Sequence, residues 1–402
     1  MALAVHDVKS GGNRILDNRI SFLTQEFRSL FKSDPELWSR APGRVDLMGS
    51  HTDYNLGYVM TMAIDRDTWI AARPRTDGKV RLHSLDMDSG AEFSLDDLAK
   101  TADAPWTNYV RGVAKYCREA GFDLAGFDGL VHSTVPFSAG LSSSAALEMA
   151  TAMIFQAVSG FKLDPVQMAL LGQRAENQFV GVNSGILDQY SSAMGQAGKT
   201  ILLDCRALTS ELVDISPDLQ VVICDTKTKR NLLGSEYDDR RKQCEQGVAI
   251  LQTADPAIAS LRDVPIELFN RMKDQMPPLV QKRCQFILEE NQRVLDLAQP
   301  LAQNDGEKLN EIFAASYRGA RDLFEIGAPT MQAMIRSMSN APGVVASRQA
   351  GAGFGGCMVS LVDPAHVAEF SASVTAEYKT LTGLDAEIYA VQASDGASMM
   401  QV

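Results

Sequence analysis

The chain has 402 residues, of which 45% are hydrophobic, enough for a large core and for two domains. Its formal net charge of −12 argues against a nucleic-acid-binding protein, which would normally present a basic face, but a local basic pocket could still hold an anionic substrate. The six cysteines lack metal-ligand or disulfide spacing, and neither an apolar leader nor a run of about eighteen apolar residues is present. We therefore expect buried, reduced thiols in a cytoplasmic protein without a membrane span.

The first half of the chain is predicted to begin with a helix and to continue as a mostly β region. Apolar residues at three- and four-residue spacing predict a helix over ILDNRISFLTQEFRSLF. The strand-like runs that follow are RVDLM, YVMTMAI, TWIAARP and KVRLHSL, with hairpin-type turns at PRTDGK and MDSG. Helices are then predicted over 106–121, 142–160 and 164–180, with strands around 128–134 and at KTILLDC.

The second half of the chain is predicted to be richer in helix. A strand at VVICDT precedes long helices near 236–254, 279–298, 306–323 and 328–338. The strands CMVSLV and AEIYAV flank a helix at 364–381. Strands followed by helices in each half predict an α+β protein, and we place the two domains at 1–214 and 215–402.

The segment APGRVDLMGSHTDYNLG, at 41–57, places polar groups between two apolar strand-like runs. Such a cluster usually marks a site, because burying polar groups without partners is costly. Arg44 can hold a phosphate oxygen or an acidic partner with its planar guanidinium group. Asp46, His51 and Asp53 can accept directed hydrogen bonds from sugar hydroxyls. A tight hairpin turn is the structural alternative for the same residues.

The segment VPFSAGLSSSAALEMATAMI, at 135–154, predicts a strand, a loop containing Gly140 and then a helix. Small residues let a ligand approach the backbone, and free N–H groups at a helix start can bind an anion. Ser142, Ser143 and Ser144 add hydroxyl groups, one of which could ligate Mg²⁺. A serine N-cap is the structural alternative, although three serines exceed what capping requires. The segment is not a Walker motif, because it lacks the lysine.

A glycine-rich segment, RQAGAGFGGCMVSLV at 348–362, predicts close approach of the backbone to another group or positive φ angles. A tight loop between packed elements is the alternative. The glycine spacing is wrong for a dinucleotide-binding fingerprint, and the segment precedes a strand instead of following one.

Two further carboxylates lie in RAENQFVGVNSGILDQYSSAMG, at 174–195. Glu176 lies on a predicted helix, and Asp188 follows a glycine-containing turn. Two carboxylates near a phosphate loop suit Mg²⁺ binding and the positioning of an attacking hydroxyl. Either one alone could also be a solvated helix charge.

All four segments, in this order, resemble the galactokinase branch of the GHMP small-molecule kinases. PWTNYVRGVAKYC at 105–117 and TKRNLLGSEYDDRRKQCE at 228–245 also resemble that branch, so the likeness covers nearly the whole chain. It implies a two-domain α+β fold with a ribosomal-S5-like N-terminal half and a ferredoxin-like C-terminal half. It also implies ATP-dependent phosphorylation of the anomeric hydroxyl of galactose in a cleft between the halves, by a protein we expect to be monomeric.

The resemblance assigns roles to individual residues. Asp188 would be the catalytic carboxylate and Arg44 its charged neighbour, which offsets charge on the transferring phosphoryl group. Ser144 and Glu176 would hold Mg²⁺. The sugar-binding residues would be Asp46, Ser50, His51, Asp53, Gly185 and Tyr237. The ATP-binding residues would be Trp106, at the adenine, with Gly140, Ser142, Ser143, Ser144 and Gly353.

Two residues depart from the signature of this branch, GRVNLIGEHTDY, because Asp46 replaces asparagine and Ser50 replaces glutamate. In the family that glutamate helps to bind the C6 hydroxyl, and its loss could cost about 1–3 kcal/mol of galactose binding. Galacturonate is therefore an alternative substrate, since Ser50 and His51 could donate to a C6 carboxylate, and L-arabinose is a weaker alternative. A non-catalytic sugar sensor is a further alternative, although Arg44, Asp188 and the complete GLSSSAA loop favour an enzyme.

Overall fold

A computed structural model describes residues 12–137, 139–228 and 236–402. The helices are α1 (Gly12–Phe31), α2 (Thr107–Glu119), α3 (Ser143–Ser159), α4 (Pro165–Arg174), α5 (Leu187–Met194), α6 (Glu236–Leu251), α7 (Ile266–Met272), α8 (Pro278–Gln303), α9 (Gly306–Asp322), α10 (Pro329–Ser339) and α11 (Val367–Thr382). The strands are β1 (Leu37–Met48), β2 (Tyr58–Arg75), β3 (Lys79–Ser84), β4 (Ser89–Ser94), β5 (Gly126–Ser133), β6 (Lys199–Asp204), β7 (Thr209–Asp214), β8 (Gln220–Asp225), β9 (Val344–Gln349), β10 (Cys357–Val362), β11 (Glu387–Val391) and β12 (Ser398–Met399).

The larger sheet has the strand order β12-β1-β2-β5-β3-β4, and β6 pairs with β2 and with β7. The pairing is antiparallel except between β3 and β5. Strand β2 joins two predicted strands, YVMTMAI and TWIAARP, into one element of 18 residues. Its first part pairs with β6 and its second part with β5, so β2 connects these two strands to β1 in one sheet.

The smaller sheet is antiparallel, with the order β11-β8-β10-β9. Side chains of β8 alternate between two apolar clusters, as a strand buried on both faces requires. Val221 and Ile223 pack in a cluster with α8 and α9, whereas Val222 and Cys224 pack with α10 and α11. The first of these clusters also includes Val45 of β1, so one apolar core joins the two sheets.

The α+β architecture is confirmed, and most predicted helices and strands are found within a few residues of their expected ends. Strands β4, β7, β9 and β12 and helices α5 and α7 were not predicted. Four of the six residues of β7 are exposed and none is fully buried, so its apolar signal is weak. The helix predicted at 164–180 is α4 followed by a π-helical turn, Ala175–Val180. The strand composition of the two sheets changes near residue 215, but β12 returns to the larger sheet, so the domain limits stay a prediction.

All six cysteine side chains are buried, as expected. No helix in the described ranges is long and apolar enough to cross a membrane. Residues 229–235, within one of the segments that carry the resemblance, lie outside the described residues.

Candidate active site

The four polar segments found in the sequence meet at one pocket, where β1, the start of α3, α5 and the glycine-rich segment converge. The predicted site residues that line it are Arg44, Asp46, Ser50, His51, Asp53, Gly140, Ser142, Ser143, Ser144, Glu176, Gly185, Asp188 and Tyr237. Trp106 and Gly353 are not among the lining residues. Trp106 is buried among apolar side chains, and its Nε1 donates a hydrogen bond to Ser89 Oγ at 3.4 Å.

Arg44 connects two of the predicted functional groups. Its Nε and Nη2 donate to Asp188 Oδ1 at 2.8 and 2.5 Å, and its Nη1 donates to the Gly140 carbonyl oxygen at 2.6 Å. The guanidinium group is nearly buried, whereas the Asp188 side chain keeps 22% of its surface exposed and can meet a ligand. Irregularities in the β1–β2 pairing flank Arg44 and Asp46, and such bulges re-aim side chains out of a regular sheet.

The loop before α3 has the features of an anion site. Ser142 adopts a left-handed conformation, with φ of 58°, and makes no side-chain cap to the helix. Its buried Oγ has no hydrogen-bond partner among the described residues, so the simple N-cap interpretation fails for this serine. The hydroxyl and the N–H groups of the first turn are therefore available to an anionic ligand in the pocket.

The glycine-rich segment closes over this loop. Gly351 has a φ of +69°, and a Cβ there would lie 3.7 Å from the Gly140 carbonyl oxygen and 4.0 Å from Arg44 Nη2. The next residue, Ala352, accepts a hydrogen bond from His51 Nε2 at 2.9 Å. The segment thus brings backbone from the C-terminal half against Arg44, as its glycine content suggests.

Glu176 lies in the π-helical turn, a rare geometry that often occurs at functional sites. Ser144 Oγ donates to its Oε1 at 2.9 Å, and Ser184 Oγ and Gln189 Nε2 donate to its Oε2 at 2.6 and 2.9 Å. Burial raises the pKa of Glu176, and the Asp188 carboxylate adds to the rise. A carboxylate and a hydroxyl side by side are oxygen ligands of the kind that Mg²⁺ accepts.

Asp53, Gly185 and Tyr237 form another part of the pocket wall. Gly185 has to be glycine here, because an added Cβ would lie only 1.9 Å from Asp53 Oδ2. Burial raises the pKa of Asp53 to about 6, and the carboxylates of Asp188 and Asp46 contribute. Both ring nitrogens of His51 already have protein partners, the Tyr54 hydroxyl and the Ala352 carbonyl oxygen, each at 2.9 Å.

Ser50 belongs to a buried polar network. Its Oγ donates to Asp46 Oδ2 at 2.7 Å and accepts from Arg348 Nη2 at 2.9 Å. The same guanidinium group lies 3.2 Å from Glu290 Oε1 and donates to the Leu47 carbonyl oxygen at 2.7 Å. Burial raises the pKa of Asp46, and the Arg348 cation opposes that rise.

Sequence reasoning missed several groups that matter here. Tyr109 and Ser184 line the pocket, Arg348 donates a hydrogen bond to Ser50, and Glu290 pairs with Arg348. Arg348 and Ser184 fall within the quoted segments but were not singled out, whereas Tyr109 reads as an ordinary helix residue. Glu290 lies on α8, far along the chain, so no local pattern signals it.

Family models match two parts of the chain. The model described as the galactokinase galactose-binding signature matches residues 25–74, and the GHMP kinases N terminal domain model matches residues 108–196. The two matched ranges contain the Arg44 segment, the α3 loop, Glu176 and Asp188.

Similarity to known proteins extends over almost the whole chain. The chain is 40% identical to a galactokinase of Roseiflexus sp. (strain RS-1), over 93% of this chain and 95% of that protein. Its structure resembles Lactococcus lactis galactokinase complexed with galactose, with a TM-score of 0.90, 32% identity and coverage of 94% of this chain and 99% of that one. A likeness to Methanococcus jannaschii mevalonate kinase, with a TM-score of 0.63, 15% identity and coverage of 90% and 100%, concerns the fold alone.

Proposed function

Because this chain belongs to the galactokinase family of the GHMP kinases, we propose that Asp188, Arg44 and the N-terminus of α3 form its phosphoryl-transfer centre. The protein is an ATP-dependent kinase that acts on a sugar hydroxyl, and its sugar is galactose. The observation that supports the proposed centre is the contact of Arg44 with both Asp188 and the Gly140 carbonyl, which joins the carboxylate to the serine loop.

In the proposed arrangement, the phosphates of ATP lie on the serine loop. The residues Gly140, Ser142, Ser143 and Ser144 line the pocket there. The Ser142 hydroxyl, which has no partner within the described ranges, provides a donor for a phosphate oxygen. The sugar occupies the wall formed by Asp46, Ser50, His51, Asp53, Gly185 and Tyr237, with its anomeric hydroxyl at Asp188. This places Arg44 between acceptor and donor, where it offsets charge on the transferring group.

The transfer itself needs positioning more than covalent chemistry by the protein. The oxygen at C1 of galactose forms a bond to the γ-phosphorus, and the bond from that phosphorus to the β,γ-bridging oxygen breaks, releasing ADP. Asp188 orients the hydroxyl and takes its proton. Because Arg44 donates two hydrogen bonds to one oxygen of Asp188, Oδ1, the other oxygen remains for the sugar hydroxyl.

The donor set at Glu176 fits Mg²⁺. The described residues show no group of three or more His, Cys, Asp or Glu side chains arranged to hold a metal ion, but Mg²⁺ bound with a nucleotide needs only one or two protein oxygens beside phosphates and waters. We assign Ser144 and Glu176 to this ion, which when bound neutralises phosphate charge. Gln189 and Ser184 hold the Glu176 carboxylate in place.

The proposal also covers the rest of the nucleotide site, the domain limits, the oligomeric state and the cellular compartment. Trp106, at the start of the helix α2 that carries the lining residue Tyr109, and Gly353, next to the lining residue Ala352, contribute to the nucleotide site. The domains divide at 214/215, and the protein acts as a monomer. Six buried free thiols suit the reducing cytoplasm.

The structure gives little support to the galacturonate alternative. The single Ser50 hydroxyl proton is donated to Asp46, and both nitrogens of His51 are engaged, so neither is a ready donor to a C6 carboxylate. The sensor alternative predicts sugar binding without turnover; the residues that we assign to the transfer line one pocket, which favours an enzyme.

An ATP-coupled assay of ADP release tests the proposed function, with galactose, galacturonate, L-arabinose, glucose and galactosamine as acceptors and acid lability of the product as the sign of an anomeric phosphate. Galactose should give the highest kcat/KM. Asp188→Ala should lower kcat by at least about 10³-fold, because it removes the proposed catalytic carboxylate. The melting temperature should change little, because the side chain that is removed is partly exposed in a polar cleft.

The matched control is Asp218→Ala, which removes an exposed aspartate outside the pocket and should leave kcat unchanged. Near-normal kcat in Asp188→Ala would refute the assignment of the catalytic carboxylate. Galactose binding to the wild-type protein without ADP release would instead favour the sensor.

A further inference from the structure

The pocket wall contains a carboxylate oxygen without a hydrogen-bond partner. Asp46 is 1% exposed, and its Oδ1 has no hydrogen-bond partner in the described part of the chain. The nearest cation is Arg348, at 3.9 Å from Nη1, beyond hydrogen-bond distance. A buried acceptor that lines a pocket and lacks a partner is costly unless a ligand supplies the donor.

The other oxygen of the same carboxylate is held firmly. Ser50 Oγ donates to Oδ2, Arg348 donates to Ser50, and Glu290 pairs with Arg348, so a chain of buried groups fixes the orientation of Asp46. Ser50 itself has its proton committed to this network. The side chain at position 50 therefore acts as a support, and the free acceptor of this wall is on residue 46.

This arrangement changes the meaning of the two departures from the signature. Asparagine to aspartate at 46 and glutamate to serine at 50 look like the loss of one acceptor when each is considered alone. Together they conserve one carboxylate and move it four positions along the chain. In the structure the two side chains touch, so the carboxylate remains in the same part of the wall.

The neighbours of Asp46 indicate which part of the sugar its Oδ1 contacts. Arg44 pairs with Asp188, where the anomeric hydroxyl is placed, whereas Asp46 is hydrogen-bonded to Ser50, which in turn accepts from Arg348. In the family signature, position 50 carries the glutamate that helps to bind the C6 hydroxyl. Because Asp46 contacts Ser50 at that position, we place the C6 hydroxyl beside Asp46.

We propose that Asp46 is the specificity-determining residue for C6, its Oδ1 accepting the hydrogen bond of the C6 hydroxyl in place of the signature glutamate. The inference rests on the proposed function of the same pocket. A sugar with a C6 carboxylate would face Asp46 and the neighbouring Asp53, so this wall selects the neutral hydroxymethyl group over the acid.

The test compares D-galactose with D-fucose, which is galactose without the C6 hydroxyl, in the wild-type protein and in Asp46→Asn. The wild type should prefer galactose by about 10–100-fold in kcat/KM, the range expected for losing a hydrogen bond to a charged group. Asp46→Asn should reduce that ratio to about threefold or less, mainly through a higher KM for galactose, with little change for D-fucose. The variant should also improve galacturonate relative to galactose.

The ratio of two sugars on one preparation is independent of the fraction of folded protein, so a stability loss in the variant does not obscure the result. Asp46→Asn/Ser50→Glu, which returns the carboxylate to position 50, should restore the preference for galactose over D-fucose. Asp214→Asn, an exposed aspartate paired with Lys199, is the matched control and should keep the wild-type ratio.

An equal effect of Asp46→Asn on galactose and D-fucose would overturn the inference, because Asp46 would then not contact the C6 hydroxyl. A wild type that does not discriminate the two sugars would overturn it as well. Neither result touches the proposed function, which fails only if the wild-type protein does not phosphorylate galactose with ATP.

Discussion

At the scale of single residues, the site depends on charges that are held close together with few compensating cations. The carboxylates of Asp46, Asp53, Glu176 and Asp188 line one pocket, whereas Arg44 is the cationic side chain among the described lining residues. Such crowding raises the pKa of a carboxyl group and costs folding stability, which is typical of binding sites. The ionisation of one of these carboxyl groups, that of Asp53, should therefore appear in the pH dependence of kcat/KM.

The pKa of about 6 for Asp53 leads to a prediction about pH. Only the carboxylate form accepts hydrogen bonds with both oxygens, so kcat/KM for galactose should fall as the pH drops below about 6, while the fold remains intact by circular dichroism. A flat profile of kcat/KM between pH 7.5 and 5 would show that Asp53 does not bind the sugar as a carboxylate.

The ionisation of Asp53 should also affect folding stability, in the opposite direction to kcat/KM: stability should fall as the pH rises. Since the folded-state pKa of Asp53 lies above the ordinary value of 3.8, its stabilising contribution is present below that value and is lost as the pH rises through about 6. Asp53→Asn should therefore have a higher free energy of unfolding than the wild type at pH 8, by at most about 3 kcal/mol, and this difference should narrow toward pH 5. Asp218→Asn serves as the control.

At the scale of elements, the start of α3 has a local conformation that the helix itself does not require. Ser142 precedes the first turn in a left-handed conformation that costs a non-glycine residue stability, and its hydroxyl caps nothing. Strain of this kind is tolerated where the surrounding structure fixes it, as the Arg44 contact to Gly140 does here.

Two substitutions of Ser142 should separate binding from strain. Ser142→Ala and Ser142→Gly both remove the hydroxyl and should raise KM for ATP to a similar extent, about three- to tenfold. Ser142→Gly should in addition raise the melting temperature relative to Ser142→Ala, because glycine adopts the positive φ without strain. Unchanged KM for ATP in both variants would contradict the proposed phosphate contact.

At the scale of the whole molecule, the C-terminal residues return to the larger sheet, where β12 pairs with β1. Backbone hydrogen bonds run from Gly396 to the Gly195 carbonyl oxygen, from Ala397 to that of Ser192 and from Met400 to that of Trp38, each at 2.8 Å. The first two contacts hold the C-terminal end of α5, the helix whose first turn carries Asp188, and the third pairs Met400 with β1.

Removing residues 393–402 should consequently destabilise the protein by several kcal/mol, which lowers the melting temperature by several degrees, and should lower kcat through α5. Removal of the exposed pair Gln401 and Val402 is the control and should change neither. A truncated protein with wild-type melting temperature and kcat would show that residues 393–402, including β12, are dispensable.

The sequence by itself determined the α+β class, most elements and the four polar segments, because periodicity, glycine content and helix-start chemistry act over short stretches. It also singled out the Arg44, Asp188 and serine-loop group, since the order of motifs along the chain resembles one family. Those signals are local or linear, and they need no knowledge of which surfaces meet.

Only the tertiary structure decided which groups are neighbours. Ser50 alone suggested a lost sugar contact, but the folded chain places it against Asp46 and Arg348, the latter 298 positions away. The left-handed, uncapped Ser142 and the return of β12 to the larger sheet are likewise outcomes of long-range packing. A hydrogen bond between distant residues leaves no periodic trace in the sequence, because its two partners are brought together only when the core around them forms.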